Sequence, residues 1–381
     1  IESYEQALKF KPDSHETWYN HGNALFNLES YEAAIESYKQ ALKFKPDSHE
    51  TWHNQGSALS NLKYYEKAIK SYEQALKFKP DSHETWYNHG NALFNLESYK
   101  AAIGSYEQAL KFKPDFYEVW YKLGIALHKL QYNEEAIESY EQALHFKPDF
   151  PEAWYHKGFS WYHLGDYTKA ITSFGKAIEM KPDNYLAWNN RGYVLLKQDS
   201  YDGMKPVYEK GLEIGFGIHN LYLKKINDIS KLAIYQEALS NFDKALELQQ
   251  DFQLSLLNRS FALYYLGRYE EVIDSCNQAI NIESNNYVAW SNKAFGLMKL
   301  KYYEEAIISF NKSLKLNPDH HIIWYNKACT YASWGIFRRI LKCLKAAIKV
   351  NPDEYIEMAK IDPDFASIRD HKKFKNLIKL R

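Results

Sequence analysis

Asparagine recurs at equivalent places in successive 34-residue stretches of this chain, as Asn20, Asn54, Asn88, Asn190, Asn258, Asn292 and Asn326. A carboxamide carries both a donor and an acceptor, so it can pair with the N–H and the C=O of an extended peptide. A row of such groups reads backbone without demanding one sequence. Each bond contributes about 0.5–1.5 kcal/mol net. Several together can hold a peptide at roughly micromolar affinity after the costs of ordering it. Aromatic residues accompany the row: Tyr87 and Tyr121 directly follow a tryptophan, and Phe159, Tyr193, Phe261 and Phe295 recur at another fixed place in the period.

Other chemistry is poorly provided for. There is no phosphate-binding glycine loop, no HExxH and no nucleophile elbow. His49 and His53 stand four apart on one helix and could share a metal. The copies of position 53 are Tyr19 and Tyr87, however, and no third ligand is suggested. His320 and His321 read as a helix-start pair. Cys276, Cys329 and Cys343 form neither a disulfide nor a zinc spacing, which fits a reducing, cytoplasmic setting. Lys plus Arg and Asp plus Glu are both 48, so no basic excess favours nucleic acid or a membrane surface. No apolar run approaches the roughly 20 residues of a membrane span. The reading is a chain without cofactor, metal or catalytic residues.

The elements that must position the asparagines follow from the prolines. Pro12, Pro46, Pro80, Pro114, Pro148 and Pro182 are spaced by 34, and the comb resumes in phase at Pro318 and Pro352. A 34-residue period with two helical halves predicts a helix–turn–helix solenoid. In residues 15–48, Trp18, Gly22, Leu25 and Leu28 have helical spacing, as do Tyr31, Ala34, Ile35, Tyr38, Ala41 and Leu42. The short link between the halves makes the helices antiparallel neighbours. Gly22 and Ala34 are small where the helices approach, and an aromatic serves as a packing wedge in each repeat. Pro46 stops the second helix. Asp47 or Ser48 caps the next one, with Glu50 placed for a capping box. Lys43 and Lys45 suit a helix C-terminus. Residues 15–48 and 83–116 differ only at Glu32/Lys100, Glu36/Gly104, Lys39/Glu107 and Ser48/Phe116. Such duplication does not supply the unique, asymmetric set of groups that catalysis needs.

The offsets held by Trp18, Gly22, Leu25, Ala34, Tyr38, Ala41 and Pro46 resemble the tetratricopeptide repeat family. The resemblance implies an all-α, right-handed superhelical solenoid of antiparallel helix pairs. Ten units follow, 15–48 to 321–354, after a second helix of a truncated repeat at 1–14. Residues 355–381 are expected to cap the end. The chain starts inside a helix pattern and reads as a fragment. Units 185–218 and 219–252 are degenerate, with Met204, Gly203, Pro206, Gly211, Gly215, Gly217, Ile226 and Asp228 at odds with the pattern. An altered angle or weaker stacking is expected over about 195–250, and unbroken register predicts one continuous superhelix through it.

In this family the first helices line the concave face, which puts the asparagine row in a groove. The row resembles the asparagine ladder in the repeat domain of O-linked N-acetylglucosamine transferases. A second row runs Glu16, Glu50, Glu84, Glu118 and Glu152, then Leu186, Asn220, Leu254, Val288 and Ile322. The groove is thus acidic early and mostly apolar late. Tyr or His where a carboxylate clamp needs Lys or Arg disfavours heat-shock chaperone tails. The expected function is a scaffold or adaptor that binds a protein or extended peptide. The alternatives are a sensor arm of a larger enzyme or signalling protein, and a solenoid that self-associates through its uncapped N-terminal half-repeat.

Overall fold

The computed structural model describes residues 1–199 and 229–379. These residues form helices and no strand. They fall into two compact units, Ile1–Asp166 and Tyr167–Arg381. The first holds α1 (Glu2–Phe10), α2 (His15–Asn27), α3 (Tyr31–Phe44), α4 (His49–Asn61), α5 (Tyr65–Phe78), α6 (His83–Asn95), α7 (Tyr99–Phe112), α8 (Tyr117–Lys129), α9 (Asn133–Phe146) and α10 (Pro151–Leu164). Each even-numbered helix from α2 to α8 pairs with the one after it. Both units are solenoids of antiparallel pairs.

Each boundary has a local cause. The α3 helix ends at Phe44, and Lys45 is extended, at φ −140°, because a residue before proline is driven out of the helical region. Ser48 then caps α4 by accepting from Thr51 N at 3.4 Å, as Ser14 and Ser82 do for α2 and α6. Thr51, not Glu50, is therefore the third helical residue. The expected capping box is replaced by hydroxyl pairing of Ser48 with Thr51 at 2.7 Å. Within a repeat, α2 ends in a residue of positive φ, Glu29 at 57°. Ser30 N donates to Leu25 O and Glu29 N to Phe26 O, the paired bonds of a Schellman motif. Lys63, Glu97 and Gln131 repeat that conformation without glycine.

The pairs lock around one ring. A Cβ placed on Gly90 would lie 2.6 Å from Tyr106 Cε1, and Gly22, Gly56 and Gly124 face Tyr38, Tyr72 and Tyr140 at the same distance. Only glycine lets the backbone meet a ring buried this deeply, and the four tyrosines are at most 1% exposed. Tryptophan closes the joints between repeats. Trp18 Nε1 donates to Pro12 O at 2.8 Å, and Trp52, Trp86 and Trp120 do the same to Pro46, Pro80 and Pro114. Trp154 has no such partner. Its helix opens on Pro151, which pushes Phe150 to φ −123° and reshapes the joint.

In the second unit, α11 (Tyr167–Met180) and α12 (Tyr185–Asp199) are followed by Ile229–Leu248. Here the pairing departs from the expected units. The α12 helix packs along Ile229–Leu248. The Cβ position of Gly192 meets the Phe242 ring at 2.8 Å, the contact made elsewhere inside a single repeat. Arg191 bonds Glu237 at 2.7 Å and Asn241 at 3.1 Å. The first helix of expected unit 185–218 thus pairs with the second helix of unit 219–252, and the two contribute one composite repeat. Stacking is close here, with Tyr235, Ala238, Leu239, Phe242 and Ala245 fully buried. The unusual residues from Gly203 to Asp228 lie outside the described residues, as does the course of the chain between the two helices.

Three regular pairs follow: Gln253–Tyr265 with Tyr269–Ile282, Tyr287–Lys299 with Tyr303–Leu316, and His321–Trp334 with Phe337–Val350. Beyond them, Pro352–Ile361, the 3₁₀ turn Pro363–Ile368 and Lys372–Ile378 bury Tyr355, Phe365, Phe374 and Leu377 against the last pair. Tyr325 hydroxyl donates to Asp362 at 2.8 Å and fixes this cover.

Candidate functional site on the first helices

The asparagine row does not have one environment. In the first unit Asn20, Asn54 and Asn88 are half-buried. Asn54 Nδ2 donates to Asn23 Oδ1 at 2.9 Å and to Tyr19 OH at 3.2 Å in the preceding repeat. Asn23 also accepts from the buried Tyr38 hydroxyl at 2.8 Å. Asn88 lies 3.4 Å from His53 Nε2, and His53 Nδ1 lies 2.9 Å from Thr85 Oγ1. His53 is therefore engaged by the next repeat on both ring nitrogens, while His49 pairs with Glu50 at 3.1 Å. The two histidines do not converge.

In the second unit the row turns inward. Asn258, Asn292 and Asn326 are 5%, 3% and 7% exposed. Asn258 donates to Asn189 at 3.1 Å, Asn292 to Ser260 at 3.2 Å and Asn326 to Ile322 O at 2.8 Å. Asn190 is half-buried and accepts from Asn189 at 3.2 Å. The aromatic set divides the same way. Phe261 and Phe295 are core residues at 4% and 2% exposure, Phe295 edge-on to Phe310. Tyr87, Tyr121, Phe159 and Tyr193 stay half-buried. Tyr87 packs on Tyr106 and Phe116, and Tyr121 on Phe150 and His156.

A polar pocket of about 320 Å³ opens between α4 and α6. It is lined by Ser57, Ser60, Asn61, Asn88, Asn91 and Asn95, with Tyr65 and Tyr72 behind them. Asn88, Asn91 and Asn95 stand three and four apart, so one helix stripe presents all three. Asn91 Oδ1 is committed to the Tyr106 hydroxyl at 2.9 Å, and Asn95 Nδ2 to its own helix at Asn91 O, also 2.9 Å. Asn88 is the row member that meets this pocket. Ser57, Ser60, Asn61 and Asn95 are absent from the expected set. Their helical spacing beside the row was the available signal. Burial pushes the Tyr72 hydroxyl up to about 12, so it stays a neutral donor.

Farther along the first unit the row positions hold Lys122 and His156. Burial lowers both, and His156 falls to about 4 with the His128, Lys122 and Lys129 charges adding to the effect. The site is neutral at His156 near pH 7. Elsewhere among the described residues, Cys329, Asp362 and Asp364 bring ligand-type atoms within 4.8 Å of one another. Asp362 there already accepts from Tyr325 and from Asp364 N. The three cysteines are free and buried. No described helix is long and apolar enough to cross a membrane.

Known proteins place this architecture. Family models described as TPR repeat match residues 22–63, 62–97, 90–131, 130–165 and 161–199, and models described as tetratricopeptide repeat match 185–214 and 287–320. No curated protein matches. Among solved structures, the C-terminal part of a TPR repeat-containing protein from Cytophaga hutchinsonii is similar at 17% identity, covering 72% of this chain and 98% of its own, with a TM-score of 0.56. YrrB, described as a TPR protein with an unusual peptide-binding site, is 22% identical over 49% of this chain and 97% of its own, at TM-score 0.46. MamA is 26% identical over 44% and 92%, at TM-score 0.43. With its glycine–tyrosine locks, its tryptophan-closed joints and matches over most of its length, the chain belongs to the tetratricopeptide repeat family, whose helix pairs form protein-interaction scaffolds.

Proposed function

We propose that the chain is a non-catalytic, cytoplasmic scaffold, and that the first-helix face of residues 1–166 binds an extended segment of a partner protein. The observation that carries this reading is the polar pocket between α4 and α6, where Asn88 meets Ser60, Asn61 and Asn95. Carboxamides and hydroxyls side by side suit a peptide backbone, which offers donors and acceptors alternately. Tyr87 on α6 and Tyr121 on the next first helix, α8, supply half-buried rings for partner side chains. The proposed site is narrower than the full row. Asn258, Asn292 and Asn326 are buried and bonded within the protein. Free, buried thiols agree with a reducing compartment.

The test compares proteins captured from native lysate by the wild-type chain and by Asn88→Ala/Asn95→Ala, identified by mass spectrometry. Asn91 is left intact because its loss would orphan the Tyr106 hydroxyl. A partner retained by the wild type and lost by the variant supports the site. An unchanged set of partners overturns it.

A further inference from the structure

The repeat at 49–82 departs from its neighbour at 15–48 at nine positions: Tyr19/His53, His21/Gln55, Asn23/Ser57, Phe26/Ser60, Glu29/Lys63, Ser30/Tyr64, Ala33/Lys67, Glu36/Lys70 and Lys39/Glu73. Two of the new residues, Ser57 and Ser60, line the polar pocket. Four others, Gln55, Tyr64, Lys67 and Lys70, line a second cavity of about 400 Å³ between α3 and α5. Gln55, Leu59 and Leu62 face this cavity and Ser57, Ser60 and Asn61 face the first. On a helix those two sets point to opposite sides. The chain has thus diversified two surfaces of one repeat while keeping the buried Ala58, Leu59, Ala68, Tyr72, Ala75 and Leu76 as they stand in 15–48.

The second cavity has an apolar floor of Ile35, Leu59 and Leu62. Tyr64 forms a wall, 49% exposed. Around the floor stand Lys39, Lys67 and Lys70, with Glu32 the one carboxylate among the lining residues. Lys39 meets Glu36 at 3.3 Å across exposed side chains, and Lys67 lies 5.1 Å from the Tyr64 ring centre. Substitution of Ala33 and Glu36 by Lys67 and Lys70 turns a neutral-to-acidic edge basic at this one step. The size is that of a pocket for a bulky side chain or a small ligand.

We propose that this groove on the second-helix side is a separate docking site for an acidic protein segment carrying a bulky apolar residue. The apolar side chain fills the floor between Leu59 and Leu62. Flanking carboxylates meet Lys39, Lys67 and Lys70. The surface is exposed and its lysines are hydrated, so charge sets the approach and the choice of partner, and the apolar anchor holds it. The inference does not depend on the first-helix pocket.

Fluorescence anisotropy of the full chain with dye-labelled octapeptides tests it. DEDLFDED should bind saturably and weaken as salt is raised, while DEDSSDED and KRKLFKRK should not saturate. Lys67→Glu/Lys70→Glu alters only exposed side chains. It should weaken DEDLFDED about tenfold or more with an unchanged circular dichroism spectrum. Asn88→Ala/Asn95→Ala should leave this binding intact. Failure of DEDLFDED to saturate, equal binding of DEDSSDED, indifference to the lysine reversal, or loss with the asparagine variant would each overturn the site.

Discussion

Asn88 and Asn292 occupy the same place in two repeats and have opposite fates. Asn88 lies at a polar pocket, whereas Asn292 is 3% exposed and bonded to Ser260. The residue three positions on decides between them. In the first unit it is Asn91, short and tied to the Tyr106 hydroxyl, which leaves the face open. In the second it is Phe295, whose ring packs on Phe310 and Tyr264 and fills that face. A recurring residue type is therefore a statement about the repeat, and its accessibility is a statement about its neighbours.

The largest expected effect breaks this comparison at its centre. Phe295→Ala should cost about 3–5 kcal/mol, as deletion of a buried ring does. Asn91→Ala at the equivalent place should cost only about 1–3 kcal/mol, for one unpaired tyrosine hydroxyl. Urea denaturation of both variants measures the pair, and similar values would mean the two faces do not differ. A second difference lies in pH response. His156 in the first unit is held near 4 in the folded state, against an ordinary 6.5. The unfolded chain then binds the proton first, so stability is present above 6.5 and drains away as pH falls toward 4, by roughly 3 kcal/mol. Thermal melts of wild type and His156→Gln between these values should show the variant with the flatter profile. Parallel profiles would remove His156 as the cause. The smallest effect sharpens the contrast between joints. Gly165, Gly267 and Gly335 close first helices at positive φ, where α6 has Glu97 at 58° in the equivalent place. Glu97→Gly relieves about 1–2 kcal/mol of strain and returns about 0.5–1 through glycine's greater unfolded freedom. The melting temperature should rise slightly, and a fall would place the strain elsewhere.

The comb of prolines made the helix pairs legible, and Gly22 with Tyr38 made the lock inside each pair legible. The composite repeat was not, for a physical reason. Shifting a helix by one whole period preserves every offset, so the sequence pattern allows Gly192 to face Phe242 as readily as the residue one period earlier. Register alone does not choose between them. The tryptophan joints escaped because indole spacing within a helix suggests packing, and the bond runs backward to a proline carbonyl. Glu50 suggested a capping box because the helix start is displaced by one residue from the placement that Asp47 allowed. At the candidate site, Asn88 was legible from recurrence. Burial of Asn258 and Asn292 goes with the rings of Phe261 and Phe295 three positions on, which a one-residue pattern does not contain.

The bond that Trp18, Trp52, Trp86 and Trp120 each make to the carbonyl six residues upstream has an evolutionary consequence. Donor and acceptor lie within seven consecutive residues, so a duplication of one period copies a complete joint, whatever point in the period it starts from. New repeats arrive already able to stack, and selection is free to act on the residues between. The near-identity of 15–48 and 83–116, beside the altered surfaces of 49–82, is the pattern that such inheritance leaves.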